Sequence, residues 1–192
     1  MFYKLEIFRS NCCKSVLQFE KQKGLFVMSK FQIRFALPED MPEILNVYRH
    51  AREFMISNGN PTQWGNEHPR EEVLREDIEK QQLYLLVMRE QICGVFALVF
   101  GTDLTYLQIE GGCWRSDMPY ATIHRIAGSG REKGIFEAAI NFGKSRISHL
   151  RIDTHENNKV MQHLVEKHGF SRRGIIYVRD HSPRIAYDWV KK

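Results

Sequence analysis

No run of apolar residues in this 192-residue chain approaches the length needed to span a bilayer, which argues against a membrane role. Cysteine is scarce and poorly spaced for a framework. Of the four, Cys12 and Cys13 are adjacent, while Cys93 and Cys113 sit in apolar or glycine-rich surroundings. Reduced thiols in a cytoplasm are therefore expected. The eight histidines make no ligand set. His155-Glu156 lacks the second histidine of an H-E-x-x-H helix, and His163 and His168 stand five apart, so no metal is expected. Repeats and low-complexity segments are missing as well.

A large excess of one charge is also lacking. Net charge is +5, and the first 28 residues hold five basic groups (Lys4, Arg9, Lys14, Lys21, Lys23) against two acids (Glu6, Glu20). The remainder carries too little positive charge to argue for a nucleic-acid partner. Residues 1–27 are basic and mildly amphipathic, without the continuous apolar core of a secretory signal, and their two acids speak against organelle targeting. They are expected to be an extension, either an extra helix or sequence upstream of the natural start, with no chemistry of their own. A single domain is expected over 28–192. A hydrophobic fraction of 43% and a charged fraction of 27% suit an ordinary folded domain.

The elements follow from periodicity. Phe31, Ile33 and Phe35 alternate with polar residues and read as a strand. Pro38, Glu39 and Asp40 open a helix carrying Met41, Ile44, Leu45, Tyr48 and Met55, and Gly59 stops it. A polar loop from Asn58 to Pro69 carries Trp64, and a charged helix covers 71–81. LYLLVM and ICGVFALVF, joined at Glu90-Gln91, read as a β-hairpin. The 101–119 connection has possible strand character around Tyr106–Ile109. Further strands are expected at 149–153, 174–178 and 184–190. A helix before Gly169-Phe170 carries Met161, Leu164, Val165 and His168, with Gly169 as its left-handed stop. The order β-α-α-β-β-β-α-β-α-β-β implies an α/β (α+β) fold, a mixed sheet with helices on both faces.

The organising stretch is ATIHRIAGSGREKGIFEAA, residues 121–139. Thr122, Ile123 and Ile126 favour a strand, Gly128, Ser129 and Gly130 a turn, and Ile135, Ala138, Ala139 and Phe142 a helical stripe. A strand-to-helix turn of this kind aims backbone N–H groups and a positive helix end at one spot, a ready site for phosphate, with Arg131 and Lys133 beside it. A Walker loop is rejected because Gly134 and Ile135, not Ser or Thr, follow Lys133. A dinucleotide turn wants G-x-G-x-x-G, and Gly128, Gly130 and Gly134 are spaced one residue too long. Asp153, ending the next strand, keeps that alternative open.

The third candidate is the acyl-CoA loop of the GCN5-related N-acetyltransferases, Gln/Arg-x-x-Gly-x-Gly/Ala. Arg131 to Ile135 satisfy it, and Phe136 breaks it where a small residue belongs. Phe136 either turns inward or narrows the site. A second signature agrees: Asn158, Leu164, Glu166, Lys167, Gly169 and Phe170 match the family's Asn-x-x-Ala-x-x-Leu-Tyr-Glu-Lys-x-Gly-Phe, with Met161 and Val165 in the alanine and tyrosine places. From Phe31 to Trp189 the chain resembles this superfamily. The resemblance implies a central, mostly antiparallel mixed sheet and acetyl-CoA as cosubstrate. It also implies direct attack on the thioester, in a ternary complex, by a primary amine of a small molecule or peptide.

By the same resemblance, Ile126, Ala127, Gly128, Ser129, Gly130, Arg131, Lys133, Gly134, Ile135 and Asn158 bind the cosubstrate. The family's base is often on the fourth strand, which makes His124 the base candidate against a hydrogen-bonded core histidine, with Glu110 as a second candidate. The family's leaving-thiolate acid is a tyrosine where this chain has Val165, so Tyr177 stands as candidate acid, against a packed strand aromatic. Trp64 and Trp114 are candidate acceptor-pocket walls. Family members are often homodimers. Two other functions remain open: a CoA-binding module without catalysis, motivated by Phe136 and Val165, and a dinucleotide-binding protein.

Overall fold

A computed structural model describes residues 30–192; the extension expected at 1–27 lies outside the described residues. Seven strands form one sheet in the order β1-β2-β3-β4-β5-β7-β6. They are β1 (Gln32–Phe35), β2 (Leu83–Met88), β3 (Gln91–Phe100), β4 (Ala121–Gly128), β5 (His149–Thr154), β6 (Ser171–Tyr177) and β7 (Pro183–Val190). Among the described residues four α-helices join them: α1 (Met41–Ser57), α2 (Glu71–Glu79), α3 (Ile135–Arg146) and α4 (Lys159–Lys167). Among the described residues the β4–β5 pair alone is parallel. The expected order is the observed one, and Phe31–Lys192 pack as one unit.

Strand alternation sorts the core into two layers. Leu83, Leu85, Val95 and Ala97 face α1 and α2, meeting Ile44, Val47, Tyr48 and Leu74. Tyr84 and Phe96 point the other way, stacked on one another and packed against Phe142 of α3. Both predicted glycine stops hold. Gly59 and Gly169 adopt φ of +79° and +84°, and each is followed by an amide (Asn60, Phe170) bonded back to the carbonyl five residues earlier (Met55, Val165).

The 101–119 connection departs from expectation. Tyr106–Ile109 form no strand; a 3₁₀ turn covers Leu104–Tyr106, and a lone bridge joins Glu110 to Ile175 of β6. An acceptor already sits inside that turn, because the Asp103 side chain takes the Thr105 N–H at 2.9 Å.

Two features of β4 set up the site. It pairs with β5 only at Ala121↔Leu150 and Thr122↔Arg151. Beyond those pairs no ladder joins the strands among the described residues, and a gap opens between them. Its register against β3 also slips between Val95 and Ala97, so Arg125 and Ile126 together face Phe96. Arg125 holds φ of +52°, which a side chain adopts rarely. Buried Tyr48 donates to the Arg125 carbonyl at 2.8 Å, and the Arg125 guanidinium pairs with buried Asp77 of α2 at 2.6 Å. If α1 and α2 hold this bulge, Tyr48→Phe lowers stability by about 1 kcal/mol. Asp77→Ala, which strands a largely buried guanidinium, lowers it by about 3 kcal/mol. Urea midpoints check both, and two negligible changes would mean the strand keeps the bulge unaided.

Candidate active site

The loop from Gly128 to Gly134 caps the open end of β4. The Ser129 N–H bonds back to the Cys93 carbonyl at 2.9 Å, and Gly130 (φ +75°) lies so close to His50 of α1 that any β-carbon would collide with the imidazole. Gly134 (φ +87°) precedes α3, and no side chain caps that helix. The first-turn amides of Ile135, Phe136 and Glu137 therefore have no partner within their own helix. Arg131 and Lys133 are exposed beside them. The Phe136 ring is buried and packs on His168 with centroids 5.4 Å apart, so it turns inward and leaves the loop surface to backbone.

Asn158, on the far side of the gap, is the N-cap of α4. Its Oδ1 accepts from the Met161 N–H at 3.1 Å and its amide donates to Gln63 at 3.0 Å. Gln63 also accepts from Asn60 at 2.8 Å, which ties the 58–69 loop to the β5–α4 corner. Trp64 of that loop packs edge-on to Tyr48 at 5.7 Å, under α1.

His124 faces the 103–106 turn. Its Nε2 is 3.0 Å from Asp103 Oδ2, and both side chains are half-buried. The bond from His124, more than any other influence, holds the Asp103 carboxyl down to about 2. Next to it, Tyr106 is fully buried and donates to Asp153 Oδ1 of β5 at 2.5 Å. Burial first, and Asp153 second, push its phenol well above the usual range. The Tyr106 ring meets the His124 ring edge-on at 6.0 Å and is stacked by Trp114 at 5.5 Å. Trp114 thus backs Tyr106, while Arg151 lies over the Trp114 and Tyr120 rings at 4.0 and 3.7 Å.

The other candidate acid–base residues lie elsewhere. Tyr177 donates to Glu110 at 2.9 Å, and the pair is exposed at the outer edge of the sheet, on the β6 side. With β7 between β6 and β5, about 10 Å separates that edge from the β5 side of the gap. The structure thus pairs the candidate acid Tyr177 with the second base candidate Glu110 at the sheet edge and does not bring either to His124. Val165, in the tyrosine place, is fully buried. Sequence reasoning missed Asp103 and Tyr106, although the turn residues D-L-T were a legible signal.

A mixed sheet parted between a parallel pair, with a glycine turn and an uncapped helix start at the open end, defines an α/β acyltransferase fold. No protein-family model matches the chain, and no curated protein matches it in sequence. Solved structures do. An acetyltransferase of the GNAT family from Streptococcus agalactiae aligns with 27% identity and a TM-score of 0.77, over 84% of this chain and 96% of that one. A protein from Staphylococcus aureus, provisionally assigned as an acetyltransferase, aligns with 28% identity and a TM-score of 0.61, over 84% and 99%. A GNAT-family acetyltransferase from Listeria monocytogenes shares the fold at 18% identity and a TM-score of 0.63, over 83% and 94%. The chain has the fold of the GCN5-related N-acetyltransferases, and these neighbours support its membership of that superfamily. The dinucleotide alternative falls, because the sheet lacks the run of parallel strands that fold requires.

The depressed Asp103 carboxyl carries a consequence for acid stability. Its folded pKa lies below the ordinary 3.8, so the unfolded chain binds the proton more tightly. The stabilisation from the pair is complete above that ordinary value and is lost as pH falls toward 2. Wild type is expected to be more stable than His124→Asn at pH 5, with the difference closing between pH 4 and 2. A difference that stays constant in acid denaturation would show that the bond contributes nothing in solution.

Proposed function

We propose that the protein is an N-acetyltransferase that moves the acetyl group of acetyl-CoA onto a primary amine of a small molecule or peptide. One observation carries this reading: the β4/β5 gap ends at a helix start whose amides no side chain caps, beside Arg131 and Lys133. A pyrophosphate suits that spot on charge and on donor geometry. The inward turn of Phe136 supports the fit, since backbone rather than a ring then borders the site. In this reading Gly128, Ser129, Gly130, Arg131, Lys133, Gly134 and Ile135 hold the phosphates. The backbone of Ile126 and Ala127 lines the pantetheine path, and Asn158 borders it from α4.

Acetyl-CoA supplies the activated acetyl group. His124 acts as the base. With Asp103 ionised, Nε2 carries the imidazole proton and donates it to the carboxylate, so Nδ1 is the basic nitrogen. It takes a proton from the arriving ammonium, and the neutral amine can then attack the thioester carbonyl. The C–N bond forms, the C–S bond breaks, and CoA leaves as its thiol with the proton that the acylated nitrogen gives up. An N–H of β4 near Ile126 or Ala127 donates to the carbonyl oxygen as negative charge builds there. A cytoplasmic setting fits the free thiols of Cys93 and Cys113. A CoA-binding module without turnover is the second reading, favoured by Val165 in the place of the family's tyrosine.

A thermal-shift titration with acetyl-CoA, CoA and NADP tests the ligand class. Acetyl-CoA and CoA are expected to raise the melting temperature, and NADP to leave it unchanged. A shift with NADP alone would overturn the proposal, whereas CoA binding with no thiol release from any amine would favour the second reading. Gly134→Val forces a branched side chain into φ of +87°, where the nearest neighbour leaves room but the backbone does not. Acetyl-CoA affinity is expected to fall at least ten-fold with the fold retained, and unchanged affinity would remove the loop from the site.

A further inference from the structure

We propose that the Asp103–Tyr106 turn is a clamp that grips β4 and β5 across their gap and so positions His124, with Tyr106 as a positioning residue. The inference rests on the reading of His124 as the base.

Two strands in one sheet are normally held at fixed spacing by their ladder. Here the ladder ends at Thr122↔Arg151, so other contacts must hold the strands together further along. The turn makes one bond to each. Asp103 binds His124 of β4 at 3.0 Å, and Tyr106, three residues on, binds Asp153 of β5 at 2.5 Å.

The turn is itself fixed from several sides. The Asp103 N–H donates to the Tyr120 hydroxyl at 3.1 Å, and Asp103 Oδ1 accepts from Thr105 N–H at 2.9 Å. The Tyr106 N–H bonds to the Asp103 carbonyl at 2.9 Å, and the Trp114 indole N–H bonds to the Tyr106 carbonyl at 2.9 Å. With Trp114 stacked on its ring and 1% of its surface exposed, Tyr106 has no room to swing away. The turn therefore moves as a unit. Loss of its hold on β5 frees Asp103 to shift, and with it the orientation of the imidazole. A small displacement of a base from its productive geometry is enough to slow proton transfer severely.

Tyr106→Phe tests the clamp, because it keeps the ring and deletes the bond to Asp153. Two readouts are followed: kcat with saturating acetyl-CoA, and the His124 Nε2–H resonance in proton NMR. Asp103→Asn identifies that resonance by shifting or abolishing it. In Tyr106→Phe the resonance is expected to broaden or vanish, and kcat to fall on the order of ten-fold. The melting temperature is expected to fall by only a few degrees. Wild-type kcat and an unchanged resonance, with only the melting temperature lowered, would overturn the clamp and leave Tyr106 a packing residue. Should wild type neither bind nor turn over acetyl-CoA, the acetyl-transfer reading falls, and the resonance alone still decides whether the turn orients His124.

Discussion

The left-handed backbone at Arg125 is the constraint on which the rest depends. Such a conformation costs about 1–3 kcal/mol in a residue with a β-carbon and persists only where its surroundings fix it. Here α1 fixes the carbonyl through Tyr48, and α2 fixes the guanidinium through Asp77. Glycine would relieve the strain at Arg125, yet it would remove the group that α2 holds. The bulge bends β4 at Arg125 and Ile126, a few residues beyond its last pair with β5 and so alongside the gap.

A gap in a sheet leaves strand N–H and C=O groups without partners, which burial would penalise. The fold therefore has to leave that edge reachable by a polar partner or cover it. One end lies beside the glycine loop and the start of α3, where no side chain caps the first-turn amides and the Phe136 ring turns inward. Beside the gap lie the 103–106 turn and its two bonds. The opposed demands, an open strand edge and a fixed spacing, are thus met by different elements.

The sheet face that carries His124 is divided. Its β1–β4 half is covered by aliphatic residues of α1 and α2. Its β5–β7 half lies under the 101–120 connection, which has no helical stripe to offer and packs by other means. Arg151 lies over two aromatic rings, and fully buried Asp188 takes Arg173 at 3.0 Å and the Arg115 N–H at 2.9 Å. A buried carboxylate is tolerable only when neutralised in this way, so these contacts define a geometry more than they add stability. That geometry carries Trp114 to Tyr106 and so reaches the site.

Periodicity and turn chemistry are local, and what they govern was legible in the sequence: the order of seven strands and four helices, the stops at Gly59 and Gly169, and the glycine turn before α3. The pairings that build the site are not local. His124 meets Asp103 across 21 positions and Tyr106 meets Asp153 across 47. Glu110 and Tyr177, both plausible acid–base residues by type, find one another at the sheet edge because Glu110 bridges to β6. No pattern marks Arg125, since the strain there is borne by an ordinary residue in a strand of ordinary composition. The sequence by itself determined which elements form and where they stop. Tertiary structure decided which side chains meet, because strand order and one bulge held from two helices fix distances that no spacing along the chain encodes.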